Sequence, residues 1–165
     1  MPDGVTLSKS EGIVRSASET ERLAFELSEV ARIGDLLCLS GDLGVGKTTF
    51  ARAFIRARGW RMGVEMDDVP SPTFTLAQVY ELPGGNIWHF DLFRLENAKE
   101  TIELGIDDAI RDGICLVEWP DRLPKLEITS RLDLSFEFGG LRDERRVGMV
   151  WREDWRDRRP ELESS

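Results

Sequence analysis

Ten residues, GDLGVGKTTF at positions 41–50, concentrate the chemistry of this chain. Gly41, Gly46, Lys47 and Thr48 satisfy the pattern G-x-x-x-x-G-K-[ST], with Asp42, Leu43, Gly44 and Val45 filling the loop. Each position has a physical task in holding phosphate. The glycines let the backbone turn with its N–H groups pointing inward, forming a concave anion site. A helix beginning at Lys47 aims the positive end of its dipole at the same point. The Lys47 ammonium is expected to neutralise β- and γ-phosphate oxygens. The Thr48 hydroxyl suits Mg²⁺, a hard cation that takes oxygen ligands. Thr49 is a candidate for an α-phosphate contact.

Phosphoryl chemistry also needs an acid across the site, to hold the metal shell or orient water. Two acids close apolar runs: Asp91 after NIWHF and Glu118 after ICLV. Parallel strands end on the ligand side of such sheets, so either could face the nucleotide. Glu118 ends the more uniformly apolar run and is expected to hold Mg²⁺, directly or through water. Asp91 is then expected behind it or acting on water. The alternative for each is a solvated carboxylate at a strand end. His89, the single histidine, lies two residues before Asp91 and on the same strand face; a structural role is expected rather than acid–base work. Trp119 is expected in the core. In SPTF, residues 71–74, Pro72 restrains Ser71 to an extended conformation. That leaves the Thr73 hydroxyl as a candidate switch toward the γ-phosphate, against a plain strand start.

These groups need a scaffold. Residues 16–34 read as a helix, with Ser18 and Glu21 at capping-box spacing, an apolar face of Leu23, Phe25, Leu27, Val30 and Ile33, and Gly34 as the stop. The apolar run 36–39 reads as a buried parallel strand. The helix from Lys47 is expected to reach Arg58 and stop at Gly59. Residues 75–81 and 86–91 flank a Pro-Gly-Gly turn and read as a hairpin. Acidic helical stretches follow, then the strand ICLVEW and a second hairpin built from LEITSRLDLSFEF and RRVGMVWRE. Strand, Gly loop and helix in that order are the context a phosphate loop requires. The expected fold is α/β: a three-layer P-loop NTPase-like domain over residues 1–153, its sheet mostly parallel with antiparallel hairpin additions. Residues 154–165, RDRRPELESS and its flank, read as a disordered tail.

The 165 residues suffice for one domain with a real core. Neither a membrane-spanning run nor a signal-like N-terminus is present in the sequence, so a cytoplasmic protein with no membrane partner is expected. Cys38 and Cys115 sit in apolar runs without ligand-spaced partners, which disfavours a cysteine metal site. The net charge is −9. An acidic surface repels phosphate backbones, so a link to nucleic acid would run through a partner. The absence of Asp-x-x-Gly after the loop and of Asn-Lys-x-Asp disfavours a GTPase. A small-molecule kinase and a nucleotide-gated binding module without turnover remain as alternatives.

The motif order GDLGVGKTTF, SPTF with TLAQVYE, HFDLFRL and LVEWPDR resembles the TsaE (YjeE) family of bacterial P-loop ATPases over about residues 15–150. The resemblance implies an ATP hydrolase, slow alone, that uses Mg²⁺ and supports formation of threonylcarbamoyladenosine in tRNAs reading ANN codons. It implies TsaD and TsaB as protein partners, with tRNA reached only through them. By the same resemblance, residues 41–49 are the phosphate loop, Thr48 and Glu118 the metal ligands, Asp91 the motif aspartate and Thr73 the switch threonine. Nucleotide contacts are further implied near Ser18 or Glu19 and among Arg142, Arg145 and Arg146. Phe93 stands where the family has tyrosine, which removes a hydroxyl.

Overall fold

The computed structural model describes residues 7–72, 74–126, 128 and 130–162. The strands are β1 (Ser8–Val14), β2 (Leu36–Ser40), β3 (Ala77–Tyr80), β4 (Asn86–Asp91), β5 (Gly113–Glu118), β6 (Arg131–Phe138) and β7 (Arg145–Trp151). They form one sheet in the order β1-β7-β6-β2-β5-β4-β3. Its centre is parallel, through the pairs β6–β2, β2–β5 and β5–β4. Antiparallel pairs finish both margins, β1–β7–β6 on one side and β4–β3 on the other.

The period-2 alternation of side chains divides the core. Leu37, Leu39, Ile114, Leu116, Leu132 and Leu134 face α1 (Ala17–Val30) and α2 (Lys47–Arg61). Leu36, Cys38, Phe90, Cys115 and Val117 face the opposite way, toward α4 (Ile106–Asp112), which follows the short α3 (Ala98–Glu103). Helices on both faces of a central sheet make the three expected layers. Phe50 and Phe54 of α2 are fully buried, and truncating either to alanine is expected to cost about 3–5 kcal/mol.

Several boundaries differ from the sequence reading. The cap of α1 is Ser16, whose Oγ accepts the Glu19 N–H at 3.2 Å, while Ser18 is exposed. Two members of the expected apolar face, Phe25 and Ile33, are exposed as well. The helix stops at Val30 because arginines from elsewhere take its last carbonyls. Arg58 donates to Ser28 O and Ala31 O at 2.7 and 3.0 Å, and Arg158 to Val30 O at 2.9 Å. Conversely, α2 runs through Gly59 to Arg61. That glycine marks close packing, since a Cβ there would lie 2.7 Å from the Met66 sulfur. Strand β1 was not anticipated; its sequence SKSEGIV has too few apolar residues to reveal the pairing with β7.

The expected disorder from residue 154 does not hold through residue 162. Trp155 is completely buried within the 3₁₀ turn Glu153–Trp155. The Arg158 guanidinium stacks on the Trp155 ring at 4.2 Å and grips both oxygens of Asp35, at 2.8 and 2.9 Å. Leu162 packs against the main core. One buried indole and one bidentate ion pair outweigh the polar composition that suggested a free tail.

Candidate nucleotide site

The site forms where β2 turns into α2. Gly41 leaves the strand at φ +140°, and a Cβ there would lie 2.4 Å from Phe136 O, so only glycine fits. The Val45 N–H closes a turn onto Asp42 O at 3.2 Å. Gly46, at φ +124°, begins α2 without any side-chain cap, which leaves the helix N-terminus open toward the cleft. Asp42, Leu43 and Gly44 are exposed at the loop tip, whereas Val45 is buried under it.

Alternation along β4 and β5 decides which acids arrive. Ile87 and Leu116 face α2, so His89, Asp91 and Glu118, each separated from one of these by an even number of residues, face the same side. Asp91 and Glu118 are directly paired in the ladder. The Thr48 hydroxyl donates to Glu118 Oε1 at 2.8 Å. His89 Nε2 lies 2.8 Å from Glu118 Oε2. The Phe93 N–H donates to Asp91 Oδ1 at 3.1 Å. Asp91 and Glu118 are both buried, not solvated strand ends.

Lys47 is 4% exposed, its ammonium donating to Gly41 O and resting 3.6 Å from the centre of the Trp119 ring. Burial pulls its pKa below the ordinary lysine value, while the carboxylates of Glu118, Asp91, Asp42 and Asp121 pull it back up. Trp119 therefore belongs to the site rather than to the core alone. It adopts φ +59°, a strained backbone for a bulky residue, and packs on Phe93 with ring centres 4.9 Å apart.

Two hollows flank the loop. One, of about 240 Å³, is lined by Leu43, Lys47, Thr48, Asp91, Phe93 and Glu118 among others. The second, of about 120 Å³, is lined by Ser16, Ala17, Thr20, Val45, Asp143 and Arg145. They share Gly44, Gly46 and Thr49, so an extended ligand can lie across the loop. Arg145 joins the second hollow from the start of β7, its Nε donating to Val45 O at 2.8 Å. The donor set fits Mg²⁺ and ATP: hydroxyl and carboxylate oxygens for a hard cation, an ammonium and an open helix start for phosphates. Among the described residues no three His, Cys, Asp or Glu side chains cluster as a metal cage.

The structure thus gathers Gly41, Gly44, Gly46, Lys47, Thr48, Thr49, Asp91, Glu118 and Arg145. Ser18 is exposed, and Glu19 lines a separate depression with Arg22 and Glu161. Two positions before the expected pair, Ser16 and Ala17 line the second hollow, joined by Thr20. Arg142 is exposed and its carbonyl accepts from Arg145 Nη1 at 2.9 Å, and Arg146 is exposed. Thr73 lies outside the described residues. Sequence reasoning missed Asp143 and the contact of His89 with Glu118, because neither motif nor spacing reports a pairing between strands.

Phosphate loop, open helix start and strand-end acids on a three-layer sheet define a P-loop nucleotide-binding protein. The family model for threonylcarbamoyl adenosine biosynthesis protein TsaE matches residues 14–147, and the chain belongs to that family, which is P-loop ATPase-like. A Rickettsia bellii protein named tRNA threonylcarbamoyladenosine biosynthesis protein TsaE is 34% identical over 138 residues, covering 84% of this chain and 92% of that one. The Bacillus subtilis protein of the same name is 35% identical over 130 residues, 78% and 77% of the two chains. The crystal structure of Bacillus subtilis YdiB superposes with a TM-score of 0.66 at 26% identity, over 92% of this chain and 91% of the other. Among the described residues no helix is long and apolar enough to cross a membrane.

Proposed function

We propose that this protein is a Mg²⁺-dependent ATP hydrolase required for making threonylcarbamoyladenosine in tRNAs that read ANN codons, acting with TsaD and TsaB in the cytoplasm. The observation that carries this reading is the Thr48–Glu118 hydrogen bond of 2.8 Å at the mouth of an uncapped α2, beside a buried Lys47. Two hard oxygen donors and one cation beside an open helix start are what a Mg²⁺–triphosphate site requires, which supports the reading.

In the proposed mechanism Lys47 supplies the positive charge for the β- and γ-phosphate oxygens, and the backbone N–H groups of Gly44 and of Gly46 to Thr48 hold the phosphate chain. Thr48 and Glu118 would hold Mg²⁺, which would supply positive charge against the developing negative charge of phosphoryl transfer. Asp91, fixed by the Phe93 N–H, stands next to Glu118 and orients the attacking water through its carboxylate. Arg145 and the start of α1 receive the nucleoside. Trp119, packed on Phe93, covers the Lys47 ammonium. A net charge of −9 supports a protein partner that carries the tRNA, with hydrolysis cycling that partner complex between turnovers.

The test is nucleoside mass spectrometry of tRNA from cells depleted of the protein and rescued with wild type or Lys47→Ala. Threonylcarbamoyladenosine should vanish on depletion and return only with wild type. An unchanged level would refute the proposal. In vitro, slow ATP turnover should rise on adding the TsaD–TsaB complex, and a rate indifferent to that complex would remove the partner assignment.

A further inference from the structure

Glu118 is tied at both ends of its carboxylate. Oε1 accepts from Thr48, and Oε2 lies 2.8 Å from His89 Nε2. His89 is completely buried and Glu118 nearly so, at 2% exposure. Asp91 is the direct ladder partner of Glu118, and His89, two residues earlier on the same face, is its diagonal neighbour, within reach of a long side chain. A carboxylate has no proton to give, so the shared hydrogen must sit on Nε2. Nδ1 has no hydrogen-bond partner among the described residues. A buried, unsatisfied ring nitrogen is unfavourable. An aliphatic side chain of similar volume would fill the same place without that penalty, so packing does not account for an imidazole here. What the imidazole supplies is the bond to Glu118.

We infer that His89 is a positioning residue: its Nε2–H holds Glu118 so that Oε1 stays beside Thr48, and it thereby sets the affinity of the site for the divalent cation that accompanies a nucleoside triphosphate. The inference rests on the Mg²⁺–ATP reading of the same site. Without that bond the Glu118 carboxylate keeps only its Thr48 contact, at one oxygen, and its flexible chain can turn Oε1 away from the cation side.

The experiment uses the full chain with Mn²⁺ and ATP as probes. ATP affinity is measured in EDTA by competition with a fluorescent ATP analogue, and Mn²⁺ affinity of the ATP-bound protein by electron paramagnetic resonance. His89→Leu should leave metal-free ATP affinity within about twofold of wild type. It should weaken Mn²⁺ binding about tenfold, the usual effect of removing a residue that orients a metal ligand. His89→Gln, whose amide nitrogen reaches the place of Nε2, should recover most of that loss. In a Glu118→Ala background His89→Leu should add less than about twofold, since the tether then has nothing to hold. Unchanged Mn²⁺ affinity in His89→Leu overturns the inference, as does a full effect that persists without the Glu118 carboxylate. If His89→Leu fails to fold, His89→Gln and His89→Asn decide: the longer amide must keep Mn²⁺ affinity and the shorter one lose it. Wild-type protein whose ATP complex takes up no Mn²⁺ would refute the Mg²⁺–ATP reading itself, a result that no His89 variant can imitate.

Discussion

Arg158→Ala is the sharpest perturbation of the fold, because it tests whether the chain beyond the family-matched region is part of the folded unit. Arg158 and Asp35 are 8% and 2% exposed and joined by two hydrogen bonds of 2.8 and 2.9 Å. Arg158 also caps Val30 O at 2.9 Å and covers the Trp155 ring. Breaking a buried pair by removing one partner costs about 3–5 kcal/mol, since the other charge is left uncompensated. Asp35 retains one donor, the Arg32 N–H at 2.6 Å, which places the expected loss near the lower end, about 3 kcal/mol. With a urea slope of about 2 kcal/mol per molar, the unfolding midpoint should fall by about 1.5 M. The assay is equilibrium urea unfolding followed by tryptophan fluorescence at pH 7. Arg156→Ala is the control: this side chain is exposed on the same segment, and its loss should stay within about 0.5 kcal/mol. A midpoint shift below about 0.3 M for Arg158→Ala, or equal shifts for both variants, would refute the docking of residues 153–162.

Ser16→Ala should cost about 1 kcal/mol by removing the cap of α1, while Ser18→Ala should be nearly neutral; thermal unfolding of both checks which serine is the cap. Gly41→Ala should lower the melting temperature and abolish ATP binding in a fluorescence titration, because its Cβ would collide with Phe136 O at a positive φ. Burial pushes the Cys38 thiol up from 9.0 to about 12. Below about pH 9 both folded and unfolded chains keep this proton. Between about pH 9 and 12 the unfolded chain releases it first, so stability falls as pH rises, by on the order of 1 kcal/mol at pH 10 from this group alone. Cys38→Ser, which does not titrate there, should lose correspondingly less than wild type between pH 8 and pH 10 in urea unfolding.

The sequence by itself determined the phosphate loop and the elements around it. The loop is local: glycine conformations, a helix start and one lysine within eight residues need no distant partner to be recognised. The strands ending at Asp91 and Glu118 and both hairpins were equally legible, because apolar alternation and Gly-rich turns are short-range signals. Tertiary structure decided whatever depended on contacts between distant segments. Ser16 rather than Ser18 caps α1, since the chain leaves β1 just before it. Gly59 stays helical because Met66 packs against it. The polar segment after residue 153 is anchored because Trp155 finds a buried site and Arg158 finds Asp35, 123 residues away. The pairing of His89 with Glu118 joins neighbouring parallel strands 29 residues apart. Strand order and register create that contact, and a linear pattern carries neither.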